Sequence, residues 1–146
     1  DLARASLRET GTATVCLVFG FIVLYSQAGK LNLLVQGDEA ARQLGVNVEK
    51  TRQRILIATS LITAVAVALA GIIGFVGIMV PHMMRLLFGS DHRLLLPAAS
   101  LFGASFLVAA DTVARVVLAP AELPVGVITA LCGAPYFIFL LKKKGN

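Results

Sequence analysis

The sequence predicts an all-α integral membrane protein with about five transmembrane crossings. Three observations carry this reading. Of the 146 residues, 58% are hydrophobic and 14% charged, against about 25% charged in a typical soluble domain. Charge is absent from residues 10–29, 55–84, 94–110 and 123–141, and each run is near or above the roughly 17–20 apolar residues that cross a bilayer core. The basic residues behind the net charge of +5 sit at the ends of those runs. The excess of Lys and Arg on cytoplasmic loops explains that placement. A nucleic-acid surface would gather them on one face of a soluble fold, so no nucleic-acid partner is expected.

The chain starts at Asp1 rather than Met. Arg4 and Arg8 mimic the basic start of a signal peptide, but no small-residue cleavage motif follows and further apolar runs come after. The start therefore reads as a cut edge, and the chain as a piece of a longer protein. The first span covers residues 12–28, with Gly29-Lys30 ending it. A polar stretch follows over residues 36–54. Its Lys50, Arg52 and Arg54, just before the next apolar run, put it on the cytoplasmic side.

As one helix, residues 55–88 would extend about 51 Å at 1.5 Å per residue, well beyond a core of roughly 30 Å. Gly71, Gly74 and Gly77 permit a reversal, and Pro81 weakens a helix interior. The stretch is split into a span over 55–73 and a shorter return over 75–88. Arg85 and Arg93 flank the end of that return and ask for a cytoplasmic location. Gly89-Ser90-Asp91-His92-Arg93 is a short turn. A helix over 94–118 follows, with Pro97 placed in its first turn, where proline is tolerated. Residues 119–124 connect on the outer side. The last run is expected to break at Gly133-Ala134-Pro135 into short helices over 125–132 and 135–141, and Lys142-Lys143-Lys144 closes the chain inside. The N-terminus is thus outside and the C-terminus inside. Cys16 and Cys132 lie in different apolar runs and read as small buried hydrophobes rather than a bridge.

Several segments carry candidate function. Asp38 is suited to cap a short helix over residues 37–46 whose first turn holds Glu39 and which Gly45 ends; a second short element starts at Asn47. This loop is either a solvated connector or a helix presented to a partner's groove. The break at Gly133-Ala134-Pro135 is either a packing kink or irregular backbone lining a transport path. Asp111 and Arg115, one turn apart, form a local ion pair or a partner contact. Met79, His82, Met83 and Met84 carry soft donor atoms, but Pro81 disrupts their spacing and methionine is ordinary packing material, so no metal site is expected. Gly71/Gly74/Gly77 and Ala99/Gly103 fit close helix packing. No phosphate-binding Gly-x-x-x-x-Gly-Lys-Ser/Thr loop, Gly-x-Ser-x-Gly or His-Glu-x-x-His occurs, so the chain is expected not to be an enzyme and to bind no cofactor itself.

Taken together, six segments resemble the FecCD-type permeases of the iron–siderophore, haem and vitamin B12 ABC importers, the vitamin B12 permeases especially. They are Leu31-Asn32-Leu33-Leu34 with residues 37–46; residues 70–77 with Pro81-His82 and Arg85; Asp91-His92-Arg93 with Leu96-Pro97; residues 110–115; residues 122–126; and Gly133-Ala134-Pro135. The resemblance covers about residues 31–141. It implies half of a ten-helix permease, the C-terminal half, as a single transmembrane domain over 1–146 in a bacterial cytoplasmic (inner) membrane. It further implies a second permease subunit in a homodimer, two ATPase subunits that carry the ATP, and a substrate-binding protein. Residues 37–54 would be the cytoplasmic coupling loop, with Gly37, Asp38, Glu39, Ala40, Arg42, Gln43, Leu44 and Gly45 facing the ATPase. Arg115, with Glu122, would dock the binding protein. Pro124, Val125, Gly126, Thr129, Gly133 and Pro135 would lie beside the translocation path.

Two other classes compete on the residues alone. A secondary transporter or channel driven by an ion gradient would want intramembrane carboxylates, and Asp111 is the only candidate. A non-transporting membrane scaffold would have a dry final helix throughout.

Overall fold

The structure, a computed structural model, describes residues 7–117 and 125–144. Every element among the described residues is an α-helix: α1 (Leu7–Ser26), α2 (Ala28–Val35), α3 (Asp38–Gln43), α4 (Val48–Ala70), α5 (Val76–Phe88), α6 (His92–Val117) and α7 (Val125–Lys144). They fall into two compact units. One joins the chain up to Gly71 with Ser90–Leu96, and the other joins Ile72–Gly89 with the chain from Pro97 onward.

In the first unit, α1 and α2 meet at Gln27 with a bend of 49°. Its cause is local. Gln27 N–H closes back on Leu24 O at 3.0 Å, a turn tighter than α. The Ser26 hydroxyl donates to Val23 O at 2.6 Å, which favours a bend. This corrects the expectation that Gly29-Lys30 ends the first span. Both residues lie inside α2, because the break comes earlier and helix resumes at Ala28. The α1 helix packs along α4, and Gly20 brings the two close: a Cβ there would sit 2.6 Å from Ile62 Cγ1.

The expected short element at Asn47 is not separate from the span. Asn47 caps α4 directly, its Oδ1 accepting from Lys50 N–H at 3.0 Å, and the helix then runs 23 residues without interruption. That is about 35 Å, enough to cross a core of roughly 30 Å. Its first turns are polar and the remainder apolar.

The second unit opens with the turn before α5. The break between α4 and α5 comes where the glycines predicted it. Gly71, which closes α4 at the end of the first unit, has φ 75°, and Phe75 just before α5 has φ 65°. Pro97 is the sixth residue of α6, not in its first turn, because Asp91 caps the helix earlier than expected. The predicted break in the last helix is absent: α7 runs continuously through Gly133-Ala134-Pro135. One proline deletes a single backbone donor, and helices inside membranes accommodate that loss. By length and composition, Val48–Ala70 and His92–Ala114 are membrane-spanning, and the bent α1–α2 pair is a third candidate. Val76–Phe88 and Gly126–Ile138 are apolar but shorter.

Candidate functional site

The segment around α3 is built on a very small core. Ala41, Val46 and Val48 are buried together, with Leu33 and Leu34 of α2 packed against them. Gly37 (φ 116°) turns the chain into α3. At the other end Val46 N–H donates to Ala41 O at 3.0 Å and Gly45 N–H to Arg42 O at 2.9 Å, with Gly45 at φ 81°. This paired closure satisfies the last carbonyls of the helix and needs a left-handed residue, which favours glycine. Gly45 thus ends α3 as predicted.

Asp38 does not cap. Gly37 holds the cap position and makes no side-chain bond, while Asp38 is the first helical residue. Its carboxylate instead accepts from Arg52 Nη2 at 2.9 Å, tying α3 to α4. The pair is exposed and adds little stability, but it fixes where α3 sits on α4. Outward, Glu39, Arg42, Gln43 and Leu44 are exposed, Leu44 at 63%. An exposed leucine flanked by charge at the tip of a short helix suits a partner's groove. Arg42 and Glu49 are among the residues that line a cleft of about 400 Å³.

A second constellation was not predicted as a contact. Asn32 on α2 clamps the start of α6. Its Nδ2 donates to Asp91 Oδ1 at 2.6 Å, and its Oδ1 accepts from His92 N–H at 2.9 Å. His92 Nδ1 lies 2.7 Å from the same oxygen, which requires the tautomer protonated at Nδ1. Asp91 also accepts from Arg93 N–H at 2.9 Å, as a helix cap. The Arg93 N–H, then the Asn32 amide, hold the Asp91 carboxyl below its ordinary value of 3.8. Lost hydration opposes these two bonds, and the nearby charges of Arg93 and His92 each add a smaller lowering. Both partners stood in the resembling segments, but nothing local signals a pairing across 59 positions.

In the second unit, α7 presents a notched face to residues 72–75. A Cβ at Gly126 would sit 2.9 Å from Ile72 O, and one at Gly133 would overlap Phe75 Cβ. Between the notches Thr129 is fully buried, its hydroxyl donating to Gly126 O at 3.1 Å. His82 of α5 meets Tyr136 of α7 edge-on at 6.2 Å. Gly126, Thr129 and Gly133 therefore face α5's entry turn, whereas Pro135 is exposed. Asp111 and Arg115 lie one turn apart on α6. The side chains of Arg115 and Val125, and all of Glu122 and Pro124, lie outside the described residues.

The described residues thus form a helical membrane chain with a short exposed helix, α3, held at the start of an apolar span. The chain belongs to the FecCD transport family, which residues 1–143 match. It is 51% identical over 118 residues to the hemin transport system permease protein HmuU of Yersinia pestis, covering 81% of this chain and 35% of that one. It is 52% identical over 136 residues to the cobalamin import system permease protein BtuC of Halobacterium salinarum, covering 93% of this chain and 36% of that one. A solved structure described as a metal-chelate-type ABC transporter in an inward-facing conformation superposes with a TM-score of 0.89 at 35% identity, over 97% of this chain and 46% of that one. The chain thus spans less than half the length of these relatives.

Proposed function

We propose that this chain supplies the C-terminal half of the permease in an ATP-driven importer of a metal chelate or related large cofactor: a siderophore, haem or cobalamin. Its setting is the bacterial cytoplasmic membrane. Its partners are a second permease subunit, two ATPase subunits that bind and hydrolyse ATP, and a substrate-binding protein. The observation that carries this reading is the α3 helix, seated on Ala41, Val46 and Val48 and tied to the foot of α4 by Asp38 and Arg52. A motion imposed on α3 from the cytoplasm reaches α4 directly. Family membership and the hemin and cobalamin relatives support the substrate class. Arg115 and Glu122 belong to the surface offered to the binding protein, and residues 124–135 to the path.

Reconstitution tests the reading. The full-length permease in proteoliposomes, with its ATPase and binding protein, should take up haem, cobalamin or a ferric siderophore only with ATP inside. Uptake that persists without the ATPase would instead favour an ion-gradient carrier. Arg115→Glu should weaken binding-protein docking, and wild-type docking should weaken with salt; unchanged docking removes that role from Arg115.

A further inference from the structure

In the first unit, the bend between α1 and α2 opens a groove of about 600 Å³ lined by Tyr25, Ser26, Gly29, Lys30, Asn32 and Arg93. Two cations share it. Neither Lys30 nor the Arg93 guanidinium has a salt-bridge partner among the described residues. The neighbouring carboxylate, Asp91, accepts from the Asn32 amide and the Arg93 backbone N–H, and it feels the Arg93 charge more weakly than either bond. Ser26 and Asn32 are committed to bonds of their own. The donors facing the groove are therefore the Lys30 ammonium, the Arg93 guanidinium and the Tyr25 hydroxyl. The Arg93 guanidinium lies close against α2 at Gly29: a Cβ there would stand 3.0 Å from its Nη2, and a larger side chain would push the guanidinium aside.

Above the groove, α1 carries an exposed apolar stripe. Val15, Val18, Phe19 and Ile22 are each more than half exposed and recur at helical spacing, ending at Tyr25. The uncharged run ends at Gly29 and Lys30 is the first charge after it. A tyrosine followed by a cation at the end of an apolar run marks the level of the lipid headgroups.

We propose that this groove binds the phosphodiester headgroup of an anionic phospholipid, with the acyl chains along Val15–Val18–Phe19–Ile22. Basic pockets between helices on the cytoplasmic side recognise such headgroups, and the apolar stripe continuous with the cations selects a lipid over a soluble anion. The inference rests on membrane embedding, on the cytoplasmic side assigned to Lys30 and Arg93, and on this face of α1 meeting lipid in the full-length protein; it does not depend on the transported substrate.

The test is native mass spectrometry of the assembled full-length protein carrying phosphatidylglycerol or phosphatidylcholine. The wild type should retain phosphatidylglycerol preferentially. Lys30→Ala with Arg93→Ala should weaken that retention about 30-fold, the size expected for two basic residues at an anionic surface. Lys50→Ala, outside the groove, should leave it unchanged. Gly29→Leu keeps the net charge but displaces Arg93, and should weaken retention as well. Should the double variant fail to assemble, Gly29→Leu and the wild-type preference still decide. Equal retention of both lipids by the wild type, or unaltered preference in the groove variants, overturns the proposal. Displacement of the lipid by millimolar inorganic phosphate or glycerophosphate overturns its commitment to a lipid.

Discussion

Asn32 and Asp91 show how much a polar pair can organise at the edge of a membrane protein. One amide holds a carboxylate, a backbone N–H and an imidazole at the foot of α6. Because the Asp91 carboxyl is held below its ordinary value, the sign of its pH linkage follows. The folded state favours the ionised form, so the stabilisation is complete above the ordinary value of 3.8 and is lost as pH falls through the lower, folded value. Thermal unfolding of the purified protein should become less favourable to the fold across that acidic window, and Asp91→Asn should flatten that part of the profile. A second residue-scale prediction concerns Phe75, held at φ 65° against Gly133. Gly133→Ala should cost about 1–3 kcal/mol by overpacking. Combining it with Phe75→Ala should cost less than the sum of the two single changes, a coupling that a double-mutant cycle in detergent will read. Neither contact was legible in the sequence. Helix caps and glycine turns are local signals, whereas these pairs are set by which helices meet.

The elements were legible where their signals are local. Gly71 ended one helix and Gly45 another, and the uncharged runs located α1, α4, α6 and α7. Two of the errors share a cause: a residue able to break a helix need not break one. Gly29-Lys30 and Gly133-Ala134-Pro135 both lie inside helices, because a glycine or proline costs a helix a finite amount that packing offsets. The actual bend, at Gln27, came from a serine hydroxyl and one tight turn. At this scale the account makes its prediction about α3. Gly45→Val places a β-branched residue at φ 81°, a strain of about 1–3 kcal/mol, against a core of only three buried residues. Frayed α3 should uncouple the partners: ATP hydrolysis by the reconstituted complex should lose its stimulation by the loaded binding protein, while membrane insertion is retained. Full stimulation in that variant would show that α3 carries no signal.

For the whole molecule, composition established the membrane class, and the resemblance of scattered segments established the family that residues 1–143 match. The sidedness expected from Lys50, Arg52, Arg54 and Arg93 would put the foot of α4, the Asn32 clamp and the α3 tip on the cytoplasmic side of the bilayer. The central claim is that this α3 face meets an ATPase. A single cysteine replacing the exposed Arg42 in the full-length permease should crosslink to the ATPase subunit, with a yield that changes between nucleotide-free and ATP-bound states. No crosslink in any nucleotide state, with the same cysteine labelled by a membrane-impermeant reagent from outside the cell, would contradict it.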